Sequence, residues 1–212
     1  MKIEVISISA MSEGSEMLLT LVLSNDDGKR ERRKLLLFTE QYLELGVRRG
    51  SILDEETFEK IEEMSKICKA MRKGSDLLSY SASSRVRLAQ RLRSKGIDKE
   101  SATAAAQRLA DMGAINEELD VERLVCSCLK KLWGKKRIYR ELCAKGYDRD
   151  LVSAELSKID DEIWVENCVA CFNKKHKSFT RDPEVQKKII ASLVRYGYSF
   201  SEIKQALQII TK

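Results

Sequence analysis

The chain repeats itself at intervals of about fifty residues, and this repetition limits what it can fold into more than any other feature. LRSKG at 92–96, LCAKG at 142–146 and LVRYG at 193–197 share the pattern Leu-x-x-x-Gly, with glycines 50 and 51 residues apart. Around each copy the apolar residues fall on one stripe. An aliphatic residue precedes each leucine by four positions (Leu88, Ile138, Ile189). Others follow the glycine by six (Ala102, Val152, Ile203), ten (Ala106, Leu156, Leu207) and thirteen (Leu109, Ile159, Ile210). Steps of four, four and three line the inward face of a helix. The glycine suits the left-handed residue just past a helix end. Asp98, Asp148 and Ser199, two residues on, suit the N-cap of the next helix. Each unit is therefore a helix, a glycine turn and a second helix, with room for a third near 54–80, 120–133 and 161–177. The period predicts three tandem three-helix repeats, over 54–118, 119–160 and 161–212, forming an elongated, curved array.

Residues 1–53 follow a different rhythm. Ile3, Val5, Ile6 and Ile8 make one apolar run; Met17, Leu19, Leu21 and Leu23 alternate in a second; 34–38 is a third. Asn25-Asp26-Asp27-Gly28 separates the last two, and these residue types tolerate the positive φ of a hairpin turn. A small antiparallel β region of three strands is predicted. Gly46 and Gly50 mark a short helix and a turn before a long helical run from about Asp54. The fold class is mainly α, and the single proline fits helices without interruption. Ten glycines and one proline in 212 residues argue against an all-β sandwich, which uses both in its many turns. With 43% hydrophobic residues the chain folds rather than remaining a disordered polyelectrolyte.

Glu4 interrupts what would be the apolar core of a signal peptide, and no stretch approaches the roughly 18 apolar residues of a membrane helix. The six cysteines then read as reduced thiols in a cytoplasmic protein.

Motifs of catalysis are scarce. Nucleotide-binding glycine loops, nucleophile elbows and zinc-protease motifs do not occur. Gly134-Lys135 lacks the earlier glycine and the following Ser/Thr of a phosphate loop. His176, beside Lys174, Lys175 and Lys177, reads as a surface residue. Cys126/Cys128 and Cys168/Cys171 fall within predicted helices and read as core thiols rather than metal ligands. The expectation is no catalysis, no metal and no cofactor.

The charge is more informative. Residues 1–80 hold 13 Lys/Arg against 15 Asp/Glu, whereas 81–212 hold 26 against 18, so the overall +6 belongs to the repeats. Nine positions before each marker glycine stand Arg87, Arg137 and Lys188; one before stand Lys95, Lys145 and Tyr196. Arg91, Lys135, Lys136, Arg140, Lys187 and Arg195 lie around them, interleaved with Trp133, Tyr139, Tyr147 and Tyr198. Any one of these cations is ordinary solvated helix surface. Recurrence at one structural position would instead build a basic stripe that tracks phosphates or an acidic groove.

The second unit, GKKRIYRELCAKGYDRDLVSAEL at 134–156, resembles the RecX family of bacterial recombination regulators. The resemblance rests on Gly134, Arg137, Ile138, Glu141, Leu142, Lys145 and Gly146. It extends to LAQRLRSKGIDKESATAAAQRLADMGAIN at 88–116 and LVRYGYSFSEIKQAL at 193–207, and covers about residues 60–212. The N-terminal strand region is similar to an extension of some members. Ala104, Ala105 and Ala106 replace larger residues of the family pattern, and Glu-Glu-Leu-Asp follows Asn116 where members commonly carry a double aspartate and Phe-Ala. The resemblance implies a non-enzymatic regulator of homologous recombination and DNA repair. Such proteins bind RecA recombinase filaments on single-stranded DNA and restrain filament extension, ATP hydrolysis and strand exchange; some bind single- or double-stranded DNA directly. On this reading a monomer contacts RecA or DNA through Arg87, Arg91, Lys95, Lys135, Lys136, Arg137, Arg140, Lys145, Lys187, Lys188 and Arg195. The rival reading is a general nucleic-acid-binding helical module with no dedicated RecA partner.

Overall fold

The computed structural model describes residues 2–25, 27–176, 179 and 182–211. Strands β1 (Lys2–Met11), β2 (Glu16–Ser24), β3 (Arg30–Phe38) and β4 (Ile52–Leu53) form one antiparallel sheet in the order β3-β2-β1-β4. The helices are α1 (Thr39–Leu45), α2 (Glu55–Tyr80), α3 (Arg85–Ser94), α4 (Lys99–Asp111), α5 (Glu117–Lys130), α6 (Lys135–Ala144), α7 (Arg149–Ser157), α8 (Asp161–Lys175), α9 (Pro183–Arg195) and α10 (Phe200–Ile210). Two compact units divide the chain: residues 1–81 with 88–114, and residues 82–87 with 115–212.

In the first unit, period-two patterning puts Leu19, Leu21, Leu35, Leu37, Ile3 and Val5 on one buried face of the sheet, where Phe58 and Ile61 of α2 cover them. The predicted hairpin closes through the Gly28 amide, which donates to the Asn25 carbonyl at 3.0 Å; Asp26 lies outside the described residues. The sheet has a fourth strand that the sequence did not announce, since two residues at 52–53 carry no period. Asp54 caps α2 by accepting from the Thr57 amide at 2.7 Å. Midway along α2, the buried Ser65 hydroxyl accepts a hydrogen bond from the Leu36 amide at 2.9 Å, so the helix closes that part of the β3 edge. Further on, α2 packs against α4. Ala102, Ala105 and Ala106 are buried there, and a Cβ on Gly74 would come within 2.6 Å of Leu109 Cδ1. Small side chains let these two helices approach closely.

In the second unit the helices pack as triplets. Val121, Val125, Ile138, Leu142, Val152 and Leu156 join α5, α6 and α7. Cys168, Phe172, Ile189, Leu193, Tyr198 and Ile203 join α8, α9 and α10. Together with α2, α3 and α4, these are the three triplets that the fifty-residue period predicts. The aliphatics at each marker position (Leu88, Ile138, Ile189; Leu92, Leu142, Leu193) are buried. Asp98, Asp148 and Ser199 cap the helices that follow the marker glycines.

Two turns of this unit are received in the same way. Ser84, just before α3, accepts from the Arg87 amide at 3.2 Å and donates its hydroxyl to the Lys145 carbonyl at 2.8 Å. Gly134, fifty residues on and just before α6, donates its amide to the Tyr196 carbonyl at 2.8 Å, and the Lys136 amide donates to the Gly197 carbonyl at 3.1 Å. Lys145 and Tyr196 are the residues directly before a marker glycine. Gly134 must be glycine: a Cβ there would lie 2.5 Å from the Gly197 carbonyl carbon.

Among the described residues, no helix is long and apolar enough to cross a membrane.

Candidate functional site

Most helices of the chain begin with acidic residues, as the positive end of the helix dipole favours. Glu55 and Glu56 open α2; Glu117, Glu118 and Asp120 open α5; Asp161 and Glu162 open α8. Helix α6 does the opposite. Its first turn is Lys135, Lys136 and Arg137, with no acidic residue, and α3 likewise begins with Arg85 and Arg87. A charge of the wrong sign at a helix end costs about 0.3–1 kcal/mol. Among the described residues no carboxylate pairs with Lys135, Lys136, Arg137 or Arg140. Fold stability does not account for these cations, and such local conflicts mark functional positions.

Lys136 and Arg140 are one helical turn apart, as are Lys135 and Tyr139, and all four line an open groove of about 570 Å³. Ser153 and Leu156 of α7 and Val194 of α9 complete it. Arg140 Nε donates to the Lys136 carbonyl at 3.3 Å, which ties its stem along the helix. The groove therefore has an aliphatic wall, a tyrosine and three cations without acidic partners among the described residues. Such a surface attracts phosphates or carboxylates.

Arg137 is held differently. Its guanidinium carbon lies 4.0 Å from the Trp133 ring centre and 5.2 Å from that of Tyr196. Lys175 Nζ lies 4.3 Å from the Tyr196 ring, and Lys131 Nζ 5.5 Å from Trp133. This alternation of cations and aromatics runs beside the docked Gly134 backbone.

The remaining predicted residues are not drawn into the groove. Lys187 pairs with Glu184 at 3.0 Å, on the stripe of α9 that leads two turns later to Val194. Lys188 and Arg195 share a neighbouring stripe and are exposed. Lys145 is exposed at the end of α6, and Arg87 is exposed in the first turn of α3. Arg91 and Lys95 belong to the first unit, where Arg91 donates to Ser81 Oγ at 3.4 Å.

Sequence reasoning missed Ser153 and Val194, which reach the groove from other helices. It also missed the seat of Arg137, although Trp133 and Arg137 are spaced i,i+4 and could have been paired on that ground. His176, read as a surface residue, is half-buried with its ring 5.5 Å from Phe172; its neighbour Lys177 lies outside the described residues. Cys128, Cys168 and Cys171 are buried in helices, whereas Cys126 is exposed. Burial pushes the Cys168 thiol up to about 12.

No protein-family model matches the chain. A regulatory protein RecX of Listeria innocua is 28% identical over 164 residues, covering 74% of this chain and 60% of that protein. A crystal structure of a regulatory protein RecX superposes with a TM-score of 0.74 over 97% of this chain and 99% of the other, at 18% identity, which speaks for the fold. A crystal structure of RecX from Lactobacillus salivarius is 26% identical, with a TM-score of 0.60 over 69% of this chain and 97% of that one. The chain is similar to RecX proteins in sequence and in fold. Its match spans about 60% of the length of the first of these RecX relatives. The groove on α6 and the cation–aromatic stack beside it both lie in the segment that carries the sequence resemblance, 134–156 with its flanks.

Proposed function

We propose that this chain regulates the RecA recombinase. It docks on RecA filaments formed on single-stranded DNA and restrains their extension, and so lowers ATP hydrolysis and strand exchange without a catalytic step of its own. The similarity to RecX proteins supports the choice of partner. The observation that carries the choice of surface is the gathering of Lys135, Lys136 and Arg140 around one groove, at a helix start that their charge opposes. Phosphates of the filament's DNA, or carboxylates of RecA, supply the charge that the fold omits. Arg87, Arg137, Lys145, Lys188 and Arg195 extend the positive field around this centre.

The test follows ATP hydrolysis by RecA on single-stranded DNA as the protein is added, with binding to naked DNA measured in parallel at the same salt. The native chain slows hydrolysis, and a Lys135→Glu/Lys136→Glu/Arg140→Glu variant of unchanged helical content does not. Unaltered RecA activity beside ordinary DNA binding would show a nucleic-acid-binding module instead.

A further inference from the structure

The first unit carries a concentration of positive charge that its composition hides. Residues 1–80 are slightly acidic in sum, yet the fold sorts their charges by face. Arg30, Arg32 and Lys34 alternate along the edge strand β3, so they project from one face at intervals of about 6.6 Å. On that face Leu36 stands opposite Leu18 of β2. A groove of about 460 Å³ opens over this pair. Lys34 walls it from the sheet and Lys69, Arg72 and Lys73 from α2, with Asp76 as the one carboxylate among its lining residues. Arg72 reaches Glu16 at 3.9 Å. Lys34, Lys69 and Lys73 are exposed and have no ion-pair partner among the described residues.

Charged edge strands discourage aggregation, and that accounts for cations on β3. It does not account for lysines of α2 converging on the same groove, where the Ser65 hydroxyl already occupies the Leu36 edge amide. The same hydrogen bond opposes the addition of a peptide strand at this point, because the edge donor is taken.

We propose that this groove binds the phosphate backbone of a single-stranded nucleic acid. The row on β3 continuing into the lysines of α2 matches a polymer with charge at regular intervals, and half-buried Leu18 with exposed Met11 offers an apolar floor to unstacked base faces. A duplex keeps those faces inside its stack. The site is separate from the groove on α6 and does not depend on the RecA reading.

The full-length chain is titrated against fluorescein-labelled oligothymidylate of about 30 nucleotides, read by anisotropy over a range of salt. Lys34→Glu/Lys69→Glu/Lys73→Glu weakens binding at least about fivefold and flattens the slope of log affinity against log salt by about 2, since each phosphate contact on a single strand contributes about 0.7. Circular dichroism confirms that the variant keeps its helices. In the native chain the oligonucleotide protects Lys69 and Lys73 from acetylation, read by mass spectrometry. Native affinity and slope in the variant overturn the proposal. So does equal protection by a duplex of the same length, or protection by polyglutamate but not by oligothymidylate. The Lys135→Glu/Lys136→Glu/Arg140→Glu variant leaves this groove intact, so oligothymidylate binding by that variant tests the proposal whatever becomes of the RecA reading, and the two readings fail separately.

Discussion

The backbone of Gly134 lies against that of Gly197, with the Gly134 amide donating to the carbonyl just before it, at Tyr196, over 2.8 Å. A methyl group on Gly134 would sit 2.5 Å from the Gly197 carbonyl carbon.

Gly134→Ala therefore forces backbone apart and costs about 1–3 kcal/mol. In a chain of this size that lowers the unfolding midpoint by about 2–4 °C per kcal/mol, measurable by circular dichroism. Gly96→Ala is the control. It meets open space and bears only the strain of its positive φ, so its loss is smaller.

Lys135 and Lys136 oppose the dipole of the helix they begin. Lys135→Glu and Lys136→Glu each raise stability by about 0.3–1 kcal/mol in denaturant unfolding at low salt, and the gain shrinks as salt is added. The same substitutions weaken the effect on RecA. A variant that is more stable and less active is the outcome that separates a binding role from a structural one.

Arg137 rests on Trp133 at 4.0 Å. Trp133→Leu and Arg137→Gln, singly and together, form a double-mutant cycle with a coupling of about 0.5–1 kcal/mol. Additive losses would show that the stack holds nothing.

Burial pushes the thiols of Cys68 and Cys168 up to about 12, while Cys126 is exposed. At pH 8 a disulfide reagent labels Cys126 first, the half-buried Cys143 next, and the others only as the chain opens. A folded pKa above the unfolded one means that the stability these two buried thiols contribute is complete below about pH 8.5 and is lost as pH rises toward 12. Chemical denaturation at pH 8 and pH 11 measures the difference.

The helices were legible because their signals are local. Leu142, Gly146 and Asp148 fix an end, a turn and a beginning within seven residues, and that is as far as periodicity and capping reach. Strand β4 was not legible, because Ile52–Leu53 is a strand only by virtue of pairing with Ile3 and Glu4. The α6 groove was half legible. Lys136 and Arg140 share a helix and could be placed together, but Val194 arrives from 54 residues away. Counting charge over residues 1–80 concealed Lys34, Lys69 and Lys73 for a related reason: a sum has no faces.

Ser84 and Gly134 receive their turns at equivalent positions, one through a hydroxyl and the other through a backbone amide. The receiving geometry thus outlives the chemistry that makes it. Growth of such a chain is quantised. A gene that gained or lost one stretch of fifty codons would keep every socket matched to a plug, whereas a change of twenty-five would leave one of each orphaned.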